Sequence, residues 1–332
     1  MTQPVRRPSA RVVVVNWRQA ELTIRAARSI REQLGAGDGL VVVDNASGDG
    51  SAERLRREGL TVVESSENRG FGAGVNLGAR GMVEDVLVLL NNDAVAEPGF
   101  LKALLAALSA PPSTVAPAAA TARILLAGRW KPAAPGQPDA LVSPRTGRWT
   151  RLDDQAAARG EGEVLVNSTG NLVDASGNGY DRDWLVPAGQ EHSPSEVFGL
   201  CGGACAIRRE AWQALGGFRE DLFMYYEDTD LSWRLRERGW RVLYVREAVA
   251  RHDHASSSGT DSPMFIRVNA RNRILTAAAH SPAPVVMQAL ARTLVRAVRG
   301  PQRGPMMTGL AQAVLGLPRE LRRRARGSSS SQ

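Results

Sequence analysis

The chain has 332 residues, 43% hydrophobic and 23% charged, with two cysteines, Cys201 and Cys205. That composition excludes a disulfide-stapled scaffold and a disordered chain, and it suffices for a sizeable core in one large domain or two small ones. A net charge of +8 allows a nucleic-acid, anionic-membrane or phosphorylated partner, but 5% aromatics and no recognisable nucleic-acid module rank nucleic acid last.

Met1 to Ser9 carries arginines but no apolar core, and no stretch reaches the roughly 18 apolar residues of a membrane span. We expect a soluble, cytoplasmic protein, with peripheral attachment to the inner face of the plasma membrane as the variant of that expectation. Cys201-Gly-Gly-Ala-Cys205 lacks the further ligands zinc needs, so the cysteines read as small buried thiols.

Arg11 to Val15 is a short β-branched run and predicts a strand. Asn16-Trp17 follows, then Leu22, Ile24, Ala27, Ile30 and Leu34 at helical spacing. Leu40 to Val43 is a second buried strand ending in Asp44, and the turn-rich Asn45 to Ser51 caps a helix reaching about Glu58. Thr61 to Glu64 is a third strand, after which Asn68-Arg69-Gly70-Phe71-Gly72-Ala73-Gly74-Val75-Asn76 leads into another helix. Val86 to Leu90 is a continuous apolar run, as in the middle of a parallel sheet, and it breaks off into Asn91-Asn92-Asp93. A helix from about Pro98 to Leu108 follows. Strands alternating with helices over residues 11 to 110 imply parallel strands with right-handed crossovers.

In such a sheet ligands sit beyond the carboxyl ends of the strands. Asp93 stands there as a hard oxygen ligand suited to Mg²⁺ or Mn²⁺. The competing reading is a turn with a helix cap, which Asn and Asp both favour. The glycines at 70, 72 and 74 raise a dinucleotide reading, but Val75 or Leu77 occupies the third glycine position and the run does not directly follow a strand. A glycine-rich loop passing close to a phosphate is the better reading.

From about Pro111 the chain is dense in proline, alanine and glycine, and irregular hairpins are expected to about Asn178, an excursion that would shape specificity. Phe198 to Ile207 is glycine-broken and apolar. It leads through Gly216-Gly217-Phe218 to Leu222-Phe223-Met224-Tyr225-Tyr226-Glu227-Asp228-Thr229-Asp230. Three carboxylates in four residues beside apolar surface have raised pKa values, which suits a general base. The alternative is an acidic first helical turn, with Asp230 pairing Arg234. Trp240 to Val245 is a further strand, and His252 and His254, just past it, could supply a metal ligand or a diphosphate contact. After about His280, two basic amphipathic helices end in Arg319, Arg322, Arg323, Arg324 and Arg326. They would either lie on an anionic membrane or pack on the preceding domain.

Taken as an ordered set, several motifs resemble the inverting family 2 glycosyltransferases of the GT-A fold, in particular the bacterial rhamnosyltransferase-like branch. They are Val43-Asp44-Asn45-Ala46-Ser47, Glu67-Asn68-Arg69-Gly70-Phe71 with Gly74 and Asn76, Leu90-Asn91-Asn92-Asp93, Gly216-Gly217-Phe218, Tyr226 to Leu231, Gly239-Trp240, His252 and Arg271-Asn272.

The resemblance implies an α/β fold with a mostly parallel, Rossmann-like central sheet flanked by helices. It divides the chain into a nucleotide-sugar-binding half at 1–110, an acceptor-binding and catalytic half of the same domain at 111–280, and a basic helical tail at 281–332. It implies Asp228 as catalytic base, and Asp93 with His252 as holders of Mg²⁺ or Mn²⁺. Asn16, Asp44, Asn68, Arg69, Gly70, Asn76, Asn92, Asp93 and Arg271 fall on the donor side, Asp44 accepting from a pyrimidine N3–H. Glu227, Asp230, Gly202 and Gly203 fall on the acceptor side. An amide in the first position of Asn91-Asn92-Asp93 departs from the family's acidic pattern, so fewer charges hold the ion and the nucleotide carries more of it.

The implied partners are a dTDP- or UDP-sugar, with dTDP-rhamnose favoured, and a glycan or polyprenyl-linked acceptor. A UDP-sugar transferase of secondary metabolism and a non-catalytic sugar-nucleotide-binding module stay open. A sugar-phosphate nucleotidyltransferase would want a Gly-rich basic loop after the first strand, which Asn16-Trp17-Arg18-Gln19 does not provide.

Overall fold

The structure is a computed structural model and describes residues 6–109, 117–253 and 262–329, with side chains to Ala325. Four βα units open the chain: β1 (Ala10–Asn16) and α1 (Ala20–Arg31), β2 (Gly39–Asp44) and α2 (Ser51–Arg57), β3 (Val62–Glu64) and α3 (Phe71–Gly78), then β4 (Val86–Leu90), short β5 (Ala94–Ala96) and α4 (Phe100–Ala107). A long β6 (Pro117–Leu126) follows. Next come a small sheet of β7 (Trp130–Pro132), β8 (Leu141–Ser143) and β9 (Gly147–Arg151), α5 (Asp154–Ala158), β10 (Val166–Ser168), and the hairpin of β11 (Asn171–Val173) and β12 (Gly179–Asp181). β13 (Glu196–Val197), β14 (Ala204–Arg208), α6 (Arg209–Leu215), a 3₁₀ turn at Glu220–Leu222, α7 (Glu227–Glu237) and β15 (Arg241–His252) precede three helices, α8 (Pro263–His280), α9 (Ala283–Arg299) and α10 (Arg303–Ser329).

The central sheet runs β13-β15-β6-β14-β4-β1-β2-β3. β15, β6, β4, β1, β2 and β3 point one way, while β14 and β13 oppose them. Successive side chains of a strand face opposite sides, and the two core layers follow from that. Val12, Val14, Val86 and Val88 pack with Ile24, Ile30, Leu55, Phe100 and Leu104 of α1, α2 and α4. Val13, Leu87 and Leu89 pack with Val75, Trp212, Leu231 and Leu235 of α3, α6 and α7. All five residues of β4 are buried, as its unbroken apolar run requires.

Two sequence expectations are corrected here. The region after residue 111 is not all irregular, because β6 is a ten-residue central strand between β14 and β15. Its Pro-Ala-Ala-Ala-Thr-Ala opening lacks the β-branched signature that would have announced it. The strand beginning near Trp240 does not stop at Val245. It passes a register shift between Val245 and Val249 and continues to His252, opposite Ala94 of β5. Arg246-Glu247 at that irregularity interrupts the apolar pattern and hides the continuation. His254 lies outside the described residues.

The C-terminal helices form their own layer. α10 lies along α8, with Gly309 against the Arg267 backbone and Gly316 against Leu275. A side chain at either glycine would meet those atoms within 3 Å.

Candidate active site

The carboxyl ends of β1 and β4, the Asn68–Phe71 turn, the Cys201–Gly203 turn and the start of α7 enclose a cleft of about 490 Å³. That volume is in the usual range for small-molecule and cofactor sites. Its wall includes Asn45, Asn68, Gly70, Asn92, Asp93, Asp181, Gly202, Gly203, Glu227, Asp228 and His252. Trp17, Tyr180, Trp184, Tyr225 and Phe265 add aromatic surface.

Asp93 and His252 meet in the wall, Oδ1 to Nε2, at 2.9 Å. The contact is built by backbone: β15 pairs with β5 so that His252 lies opposite Ala94, and Asp253 N donates to Asp93 O at 2.8 Å. Asn167 Oδ1 lies 2.6 Å from His252 Nδ1 and occupies that nitrogen, leaving Nε2 as the one facing Asp93. One carboxylate and one imidazole suit Mn²⁺ or Mg²⁺. No group of three or more His, Cys, Asp or Glu able to hold a metal occurs among the described residues. The donor set therefore fits an ion whose other ligands come from a bound diphosphate or water.

Asp228 is the second residue of α7 and stays partly open to the cleft. Its Oδ2 accepts from Gly202 N at 3.0 Å and its Oδ1 from Thr229 N at 2.6 Å, which leaves lone pairs for a further partner. The loop that delivers it is strained: Phe223, Tyr225 and Tyr226 all have positive φ. Asn272, fully buried, holds that loop by donating to the carbonyls of Leu222, Met224 and Tyr225 at 2.8–2.9 Å. Gly70, at φ +87°, lets the Asn68–Phe71 turn touch the same loop, and Phe71 N donates to Phe223 O at 2.9 Å.

Three carboxyl groups face one another here. Burial, reinforced by the Asp228 charge, pushes Glu227 up to about 8, and its buried Oε2 has no hydrogen-bond partner. Burial also raises Asp228 above its ordinary value, against hydrogen bonds from Gly202 and Thr229 that lower it. Asp181, at the end of β12, is raised to about 6 by burial and by Asp228, with a hydrogen bond to Ser168 opposing. Sequence reading missed Asp181 because it sits in a turn-rich stretch where an acid reads as a solvated loop residue. The one available signal was its place in Gly179-Tyr180-Asp181, a short alternation between turns.

The structure brings together Asn68, Gly70, Asn92, Asp93, Gly202, Gly203, Glu227, Asp228 and His252, and it places the remaining expected residues elsewhere. Asn16 is fully buried. Its amide donates to Asp44 Oδ1 and Ser47 Oγ and its oxygen accepts from Thr23, so it has nothing left for a donor. Asp44 braces the same turn, accepting from Asn16 and from both the Ser47 hydroxyl and N–H, and does not line the cleft itself. Its neighbour Asn45 reaches the cleft instead. Asn76 fastens α3 to Phe218 and Glu220, and Arg69 turns outward to Glu220 at 2.7 Å. Arg271 supports the 222–226 loop, donating to Leu222 O at 2.6 Å. Gly72 and Gly74 face Phe218 and Val15, so two of the three glycines serve packing and not a phosphate.

Asp230 is the centre of an ion cluster away from the cleft: Arg234 at 2.7 Å, His280 at 3.0 Å and Arg219 at 3.3 Å. Burial alone would raise its pKa, but His280, Arg234 and Arg219 outweigh burial and hold it far below the carboxylate range. Replacing it with alanine leaves buried cations around a vacancy. Asp230→Ala is expected to cost about 3–5 kcal/mol in denaturant unfolding. The depressed pKa fixes the sign of the pH dependence: the stabilisation is fully present above about pH 4, the unfolded value, and the wild-type advantage shrinks as pH falls below it toward the depressed folded value. An unchanged stability with an altered acceptor KM would restore the acceptor role expected from sequence.

A mostly parallel sheet whose strand ends open on a cleft lined by a carboxylate–imidazole pair and a buried carboxylate cluster is the arrangement that the resemblance to GT-A glycosyltransferases implies. Comparison with known proteins agrees: a family profile described as "Glycosyltransferase like family 2" matches residues 7–275. The chain belongs to that family. N-acetylglucosaminyl-diphospho-decaprenol L-rhamnosyltransferase of Mycobacterium tuberculosis is 30% identical over 239 residues, 67% of this chain and 68% of that one. Among solved structures, a Pyrobaculum calidifontis mannosyltransferase in complex with GDP-Man and Mn²⁺ superposes with a TM-score of 0.50 at 19% identity, over 96% of this chain and 85% of that one. Glucosyl-3-phosphoglycerate synthase of M. tuberculosis in complex with Mg²⁺ and UDP gives 0.50 at 15% identity, over 82% and 79%.

Proposed function

We propose that the protein transfers a sugar, with inversion, from a nucleoside diphosphate to a hydroxyl of a lipid-linked saccharide, and that the donor is dTDP-rhamnose. The observation that carries this reading is a single cleft holding two separate polar stations, Asp93 with His252 and Asp228 with its neighbours. The relative named for L-rhamnose transfer to N-acetylglucosaminyl-diphospho-decaprenol supports the choice of donor and acceptor class.

In this reading Asp228 accepts the proton of the acceptor hydroxyl while that oxygen attacks the anomeric carbon. The bond from that carbon to the diphosphate oxygen breaks on the opposite face, and the diphosphate leaves with the electron pair. A divalent cation held by Asp93 and His252 would neutralise charge on the leaving diphosphate. Asn68 and the backbone at Gly70 line the donor side. Glu227, neutral below about pH 8, keeps a second negative charge away from the base. Aromatic groups at Trp17, Tyr180 and Trp184 suit the faces of sugar rings.

Mixing the protein with dTDP-rhamnose, Mn²⁺ and a polyprenyl-diphosphate N-acetylglucosamine acceptor, then assigning the new linkage by NMR, tests the proposal. It predicts a rhamnosylated product of inverted anomeric configuration. Retention of configuration, or no transfer from any nucleotide sugar, would overturn it.

The carboxyl cluster adds a pH prediction. Turnover falls on the acid side as Asp228 is protonated and on the alkaline side as Glu227 ionises near pH 8. Glu227→Gln is expected to keep neutral-pH turnover within about tenfold and to remove the alkaline limb. A pH–rate profile with that limb unmoved in the variant would contradict the assignment.

A further inference from the structure

α9 and α10 leave much of their large apolar surface in water. The residues α9 buries fully are small, Ala289, Thr293 and Ala297, with Val286 and Leu290 partly buried beside them. Four further large apolar side chains face out: Met287 is 64% exposed and Val298 57%, and Leu294 and Val295 are exposed as well. α10 buries Gly309 and Ala313 and packs Leu310 and Leu317 on the same cluster, yet Met307, Val314, Leu315 and Leu321 stay exposed, Leu315 to 82%. A soluble helix puts its large apolar residues against the core.

The charges are as one-sided as the apolar residues. Arg292, Arg296, Arg299 and Arg303 flank the α9 stripe, and Arg319, Arg322 and Arg323 follow Leu315 on α10; all are exposed. The sole acid on either helix is Glu320, which is buried and bound to Arg219 at 2.7 Å. That pair fixes α10 to the preceding domain; Arg319 and Arg323, though exposed, lean toward Asp221 at 3.7 and 3.5 Å, while Arg322 lies open on the outer side. No helix among the described residues is long and apolar enough to cross a membrane.

We propose that the outward faces of α9 and α10 form a peripheral membrane-binding surface selective for anionic lipid. Large apolar groups bordered by arginines match the boundary between acyl chains and acidic headgroups. A second copy of the chain is a poorer occupant, because it would bring the same arginines face to face. The surface rests on the lipid-linked-acceptor reading only for its purpose, since binding to lipid requires no substrate.

The test is sedimentation of the full chain with vesicles of phosphatidylcholine, with and without phosphatidylglycerol, at low and high salt. Wild type is expected to sediment with the anionic vesicles, to be released by salt and to ignore phosphatidylcholine alone. The double variant Val298→Glu and Leu315→Glu should bind at least about tenfold more weakly while unfolding at the wild-type temperature, because both positions are exposed. Each of Arg292→Gln, Arg296→Gln and Arg299→Gln should lower partition about fivefold. Wild type failing to bind anionic vesicles, or the glutamate variant binding as wild type does, would overturn the proposal. So would a wild-type dimer that the glutamates dissociate in the absence of lipid binding. Asp228→Asn protein should bind vesicles normally, which separates failure of this surface from failure of the transfer reading.

Discussion

Replacing Asp228 with asparagine is expected to lower kcat by about 10²- to 10⁴-fold, the usual contribution of a positioned general base, while changing dTDP affinity less than about threefold. The carboxylate belongs to α7 and makes none of the contacts that join Asp93 to His252, so that pair survives the change. Asparagine has the same shape but cannot take a proton at neutral pH. Its amide nitrogen would also oppose the Gly202 N–H that now donates to Oδ2 at 3.0 Å. That conflict costs about 1–3 kcal/mol of local stability, so the variant's unfolding curve belongs beside its kinetics. A folded, dTDP-binding variant with near-wild-type turnover would remove Asp228 from the mechanism.

The second large effect belongs to Gly70→Ala. A Cβ at residue 70 would stand 1.8 Å from Phe223 O and 2.4 Å from its carbonyl carbon, and φ there is +87°. Backbone cannot yield as a side-chain tip does, so the strained 223–226 loop must move, and Asp228 moves with it. A left-handed conformation costs an alanine about 1–2 kcal/mol and forced overpacking about 1–3 kcal/mol. We expect a lowered unfolding temperature and a fall in kcat/KM of at least about 10²-fold, since small displacements of catalytic groups are that costly. Gly50→Ala separates the causes: φ is +82° but nothing lies within 4 Å of the added atom. It should carry the conformational cost alone and leave kcat/KM near wild type. Equal kinetics in both variants would mean the Gly70–Phe223 contact does not position the base.

Both effects depend on contacts between residues far apart in the chain, and that is where sequence reading reached its limit. The first four strands were legible because each is a short apolar run ending in a turn. β6 was not, since six residues of alanine, proline and threonine look like a linker until β14 and β15 lie on either side. Asp93 and Asp228 were readable as candidates because each follows an apolar run at an abrupt change of polarity. Asn16, Asn76 and Asp230 were polar residues in the same motifs, and only the structure separates those facing the cleft from those engaged in holding its walls. Asn272 shows the converse. Its amide serves three carbonyls of one loop across some fifty residues of chain, a role that spacing cannot reveal.

The central claim is that a nucleoside diphosphate binds at Asp93 with a divalent cation, opposite Asp228. Calorimetry of dTDP, UDP, GDP and NADH against the purified protein, with and without Mn²⁺ and for wild type and Asp93→Ala, tests it most directly. The account predicts Mn²⁺-dependent binding of dTDP or UDP, weakened at least about tenfold by Asp93→Ala, as befits a lost metal-holding carboxylate. Binding of NADH in their place, or nucleotide binding indifferent to both Mn²⁺ and Asp93, would contradict it and return Asp93 to the part of a turn residue.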